Sequence, residues 1–199
     1  MSKFDFSEYV KFVKVDSIRR FDFVDNETLR ENLSINTQYI VFLVSLELEL
    51  KLPGGIECSL FKNIIIYCAS IVESLINYKL QKLLKEKRTT NERLLKKSKK
   101  YKNEKMLYKI SEHEKVCGVI AEEVCLKISD DTQFIDLNKA SKRCGLFDDK
   151  LFKQAEDLRK MRNKIHLKGL KKIDNQYSKK DINKIFLIMK NIIDRVRDF

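Results

Sequence analysis

The stretch 151–167, LFKQAEDLRKMRNKIHL, gathers the residues with the most chemical potential: Arg159, Arg162, Asn163 and His166. On a helical wheel at about 100° per residue, Leu151, Ala155, Leu158 and Ile165 form an apolar stripe, and Arg162 falls inside it. His166 lies one turn further at the edge of that stripe, and Arg159 lies beyond it on the same side. All three fall within an arc of roughly 60°. A guanidinium aimed at the apolar side costs free energy unless it is paired, so such a breach of pattern marks a functional or specially paired site. The alternative is an arginine that snorkels to the helix edge. Arg supplies a fixed positive fork for an anion, and His supplies a proton acceptor that works near neutral pH.

A partner for Arg162 stands elsewhere in the chain. Glu73 has Ile66, Ala69, Ile76 and Leu80 as its helical neighbours and is the only acid between Glu57 and Glu86. A carboxylate in an apolar patch also needs a counter-charge; a boundary Glu that reaches water is the plainer alternative.

These two segments need helices to position them. Residues 59–86 are expected to form the central helix, because apolar residues cover most of its circumference. Further helices are expected at 27–33, at 106–128 on a stripe of Leu107, Ile110, Cys117, Ile120, Ala121 and Val124, after the Asp130–Thr132 caps, and at 149–167. A last helix starts at Ser178 with Asp181 three residues on, a variant of the capping box. A helix is also expected after Ser7. Between 37 and 52 the pattern fits a strand or a buried helix equally, and Pro53, Gly54 and Gly55 are expected to end the element. His113 falls on the 106–128 stripe and reads as a packed or partly exposed core histidine.

One proline and five glycines in 199 residues argue against an all-β fold. The 41 Lys and Arg exceed the 29 Asp and Glu by 12, which suggests an anionic partner, nucleic acid first, or else serves solubility alone. Eleven Lys or Arg fall in 82–105 against Glu86, Glu92 and Glu104. That segment reads as an exposed helical extension or a mobile insertion, either an RNA-binding arm or a solvated face. Five cysteines without a C-x-x-C offer no zinc pattern or disulfide framework. They read as small buried hydrophobes in a reducing cytosol. The N-terminus lacks an apolar signal region, and the longest near-apolar run, 64–72, is far short of the about 20 residues of a membrane span. No cofactor, metal or membrane partner is expected.

The run from Leu158 to Leu167, LRKMRNKIHL, resembles the signature helix of the HEPN superfamily, in which an Arg, usually followed by Asn, Asp or His, precedes a His. Ser70, Ile71, Val72, Glu73 and Ser74 resemble that family's acidic-residue helix. The order of elements over 36–198 is similar too. Three residues separate Arg162 from His166, one short of the usual minimum, and six separate Arg159 from His166, which fits. Asn163 favours Arg162 and the spacing favours Arg159, so either is the motif arginine. The resemblance implies an all-α, HEPN-like helical bundle at 36–199 with a basic insertion at 82–105, preceded by an N-terminal helical extension at 1–35. It implies a metal-independent endoribonuclease of toxin–antitoxin or antiviral defence systems. His166 would act as acid or base and Arg162 or Arg159 would stabilise the phosphate transition state, with Asn163 and Glu73 completing the site. Cleavage by 2′-hydroxyl attack needs such a proton acceptor and such a cation. Lys96, Lys97, Lys99, Lys100 and Lys164 would bind RNA. The resemblance also implies a homodimer with both His166 side chains at one cleft, and an antitoxin or defence-system partner. Two alternatives stay open: a catalytically silent HEPN-like module that binds a partner or nucleotide, and a non-catalytic RNA-binding helical protein.

Overall fold

A computed structural model describes residues 19–95, 98–165 and 177–199. The helix expected after Ser7 lies outside these residues. Among these residues, six helices and one two-stranded sheet follow in the order α1 (Glu27–Glu49), α2 (Gly54–Lys85), α3 (Asn91–Leu94), β1 (Ser98–Lys109), β2 (Lys115–Val124), α4 (Phe134–Arg143), α5 (Asp149–Asn163) and α6 (Lys179–Asp198). The chain is thus mostly helical, with a β-ribbon where the sequence reads as more helix.

Central helix α2 packs against α1, α4, α5 and α6. Its Leu60, Ile64, Ile65, Cys68, Ile71, Val72, Leu75, Ile76, Leu80 and Leu83 are all buried. Burial pushes the Cys68 thiol well above its usual range, and all five cysteines are free. The helix is long and apolar enough to cross a membrane, but more than half of its most apolar window is covered by the rest of the fold.

The ambiguous stretch resolves as helix. α1 begins at the Asn26 cap, whose side chain accepts from Leu29 N–H at 2.9 Å, and runs unbroken to Glu49. Ser34, Thr37 and Ser45 donate their hydroxyls to carbonyls four residues back, so their polar groups sit inside the helix without breaking it. The leucine alternation leaves Leu48 70% exposed, the outcome for a period of two wound at 3.6. Pro53, Gly54 and Gly55 open α2 rather than close α1. The Pro53 carbonyl accepts from Ile56 and Glu57, and the two glycines form the first turn. The expected boundary at 35/36 falls in mid-helix, and Phe21, Val24 and Leu33 belong to the main core. Residues 19–35 are therefore part of the helical body.

The helix expected over 106–128, and the helical alternative for 98–105, are overturned. β1 and β2 pair antiparallel, from Ser98 opposite Val124 to Lys109 opposite Lys115. The Ser111 hydroxyl accepts from His113 and Glu114 N–H, and Ile110 N–H bonds the Glu114 carbonyl, which closes the turn. His113 is exposed in that turn, not packed. Val116, Val119, Ile120 and Val124 suit a pleated surface better than a helix, and the interruption at 111–115 breaks the stripe.

α4 ends at Cys144 with Gly145 at φ +80°, the left-handed turn that glycine favours. Asp148 caps α5, its carboxylate accepting from Leu151 N–H at 2.7 Å. The Asp181 carboxylate accepts from both the Ser178 N–H and its hydroxyl at the start of α6. Tyr177 donates its hydroxyl to the Met161 carbonyl at 3.1 Å, which ties the end of α5 to the start of α6.

Core and ribbon should respond differently to truncation. Leu75→Ala, at a fully buried site on α2, is expected to lower unfolding free energy by about 2–5 kcal/mol in a urea titration. Leu107→Ala, on the exposed ribbon, should change it by less than about 0.5 kcal/mol.

Candidate functional site

Glu73 lies where α2 meets α4 and α5. Its carboxylate stands 3.5 Å from Arg162 Nη1 and lies near the backbone N–H of Phe134, which favours its charged form. Phe134 is the first residue of α4, whose own N-cap, Gln133, makes no side-chain capping bond. A carboxylate from another helix therefore stands by the N-terminus of α4, at the positive end of its dipole. Burial raises the Glu73 carboxyl above the usual range, against the opposing pull of Arg162 and the Phe134 amide. The pair is half-buried, with side chains 38% exposed for Arg162 and 25% for Glu73. The apolar-stripe position thus leads Arg162 to Glu73, but with its guanidinium partly in solvent.

Arg159 differs. Its Nε lies 3.1 Å from both carboxylate oxygens of Glu156, and its Nη2 lies 2.8 Å from Oε2. The two side chains are 17% and 15% exposed. Glu156 also accepts from Asn138 Nδ2 of α4 at 2.9 Å. Burial alone would raise the Glu156 carboxyl. The hydrogen bonds from Arg159 and Asn138, with the charges of Arg159 and Lys160, outweigh it and hold the carboxyl below its usual range. Glu156 therefore links α5 to α4 through Asn138, and Arg159 holds it in place from its own helix. Among the described residues Arg162 has one loose acidic contact and no hydrogen bond. Of the two arginines that the motif spacing leaves open, Arg162 is the less satisfied among the described residues.

The end of α5 comes earlier than the expected 149–167. The helix stops at Asn163, with Lys164 as its C-cap. Asn163 and Lys164 are exposed, and Lys160 and Arg162 place positive charge in the last turn, where the helix dipole favours it. His166 and Gly169 lie outside the described residues, as do Lys96 and Lys97. Lys99 and Lys100 fall on β1, opposite Glu123 and Glu122. β1 packs against β2, whereas α5 packs against α2, α4 and α6, so the structure places these lysines and Arg162 in separate substructures. A cleft of about 940 Å³ lies between α1 and α6, walled by Ile40, Val44, Leu48, Phe186, Met189 and Ile193, and does not include the Glu73–Arg162 pair.

Three contributors escaped the sequence: Asn138, Glu156 and the Phe134 amide. Asn138 is fully buried, and its Oδ1 and the Ser141 Oγ have no hydrogen-bond partner among the described residues. Its position within the run Phe134, Leu137, Ala140 was the available signal, a polar residue on an apolar face. The chain matches no family model, no curated protein and no solved structure.

The two carboxylates should give opposite pH signatures. Glu156, lowered on folding, contributes stability that is present above the ordinary carboxyl value of 4.5 and is lost as pH falls through the folded value. Glu156→Gln should flatten the acid limb of a stability–pH profile. Glu73, raised on folding, works against stability as pH rises through the carboxylate range, so Glu73→Gln should remove a downward slope there. Arg159→Ala is expected to cost about 1–3 kcal/mol in equilibrium unfolding, from the loss of charged hydrogen bonds.

Proposed function

We infer that this chain is a HEPN-like, metal-independent endoribonuclease. Arg162 holds the scissile phosphate, and His166, four residues on, moves the proton in 2′-hydroxyl attack. The observation that carries this reading is the state of Arg162. Its guanidinium is oriented by a half-buried carboxylate yet makes no hydrogen bond among the described residues, which suits a group that is to meet charge developing during a reaction. Glu73 positions the guanidinium and, being partly buried, limits the orientations open to it. Arg159, held by Glu156, is a structural clamp in this account. Asn163 and Lys164, exposed at the same helix end, are the nearest groups to contact the RNA beside the reacting phosphate. The order of a long central helix, an inserted segment, a short helix, the Arg162 helix and a closing amphipathic helix also supports the resemblance. The enzyme acts in the cytosol as a homodimer within a toxin–antitoxin or defence system, with a protein partner to restrain or trigger it.

The short Arg162–His166 spacing favours a second reading, a HEPN-like module that binds a partner without cleaving RNA. Incubation of the purified protein with bulk tRNA in EDTA separates the two. Cleavage is expected for the wild type, and Arg162→Ala should reduce its rate by about a hundredfold or more. His166→Ala should abolish it. Full activity in His166→Ala would remove the proposed chemistry, and an inert wild-type protein would leave the silent module.

A further inference from the structure

The ribbon β1–β2 carries charge in a pattern that the lysine count alone hides. Over 98–124, six lysines are met by five glutamates, so the arm is close to neutral. Lys102 pairs with Glu122, Lys115 lies 3.8 Å from Glu104, and Lys99 and Lys100 stand opposite Glu123 and Glu122. Tyr101, Met106, Leu107, Tyr108, Val119 and Ile120 are all exposed on it. A near-neutral arm with apolar side chains in solvent fits a protein surface better than a phosphate backbone. A lone two-stranded ribbon is also marginally stable in water, and further strands relieve that.

The two edges of the ribbon differ. β1, SKKYKNEKMLYK, holds five lysines and carries both register shifts, with Asn103 at φ 53°. Lysines and bulges blunt an edge against pairing. β2, KVCGVIAEEV, contributes no extra residue to either shift and is apolar or small from Val116 to Ala121. Among the described residues the sheet has two strands, so the outer edge of β2 presents unpaired backbone groups.

We propose that this β2 edge pairs antiparallel with β2 of a second copy of the chain, joining two ribbons into a four-stranded sheet. A two-fold axis between antiparallel neighbours stands normal to the sheet and passes between a residue and its own copy, so the register must be centred on one residue. Centring on Gly118 sets Glu122 against Glu114. Centring on Ile120 sets Glu123 against Cys117 and Glu122 against Gly118, and centring on Ala121 brings the acids of both chains to the middle. Centring on Val119 sets Lys115 opposite the partner's Glu123 at both ends, with Cys117 against Ala121 and Gly118 against Ile120. That register alone pairs opposite charges and leaves an apolar centre. Opposite charges directly across a sheet stabilise it and like charges destabilise it.

The inference stands whether or not the chain cleaves RNA, and its readout is assembly. Sedimentation of the full chain at micromolar concentration should show a dimer. Lys115→Glu or Glu123→Lys alone should weaken it about tenfold or more, since each creates two like-charge contacts. The double swap K115E/E123K should restore it. In a Cys117→Ser, Cys125→Ser background, Val119→Cys should form a disulfide between chains on mild oxidation, because facing Cα atoms lie about 4.5–5.5 Å apart, within disulfide reach. Val116→Cys, opposite Glu122, should not. A monomeric wild type, a dimer indifferent to the charge swaps, or no cross-link at position 119 would each overturn the proposal.

Discussion

A carboxylate set into the wall of an apolar helix has to be answered by positive charge, and that constraint organises the centre of this molecule. Glu73 belongs to α2, the helix on which α1, α4, α5 and α6 all pack. Its surroundings disfavour the ionised form, and the two groups that oppose this come from two other helices: the Phe134 amide at the start of α4 and the Arg162 guanidinium near the end of α5. One desolvated charge thus fixes the meeting of three helices. The same contact leaves Arg162 partly exposed, with no hydrogen bond among the described residues.

A second polar bridge, from Asn138 through Glu156 to Arg159, runs between α4 and α5. The two bridges divide labour by geometry. The fork of Arg159 is filled by one carboxylate in bidentate fashion, whereas Arg162 meets its acid at a single long contact. A satisfied guanidinium rigidifies, and a partly satisfied one can still bind. The α4–α5 frame held by the first is what gives the second a defined place.

The ribbon follows other physics. Its residues contribute little to the core, and its strands pack on each other rather than on the helices. Pairing a lysine-rich strand with one that carries glutamates offsets the part of the 82–105 charge that falls on β1 and leaves 98–124 close to neutral. Charge counted along a chain is not charge presented in space once a turn folds it back on its complement.

Much of the helical body was legible from local pattern. The near-continuous apolar surface of α2 admits no position but a central one. The Asp148 and Ser178–Asp181 caps mark where α5 and α6 begin, because capping bonds span three residues of chain. The pairing of Glu73 with Arg162 was also visible, since each residue violates the apolar stripe of its own helix and two violations of opposite sign answer each other. Other features depend on contacts distant in sequence. Residues 37–49 carry a strand's alternation and form a helix, because burial against α2 decides between two periods that the local pattern leaves equal. Residues 106–124 carry a helical stripe and form a ribbon, because strand pairing across the 111–114 turn satisfies their backbone where no core lies alongside to bury that stripe. Which arginine is clamped and which is open was decided by Glu156 and Asn138, a partner on its own helix and one on a neighbour. The sequence by itself determined which residues could not be left unpaired; the tertiary structure decided their partners, because ion-pair and hydrogen-bond geometry depends on how helices lie across one another, and no local period encodes that.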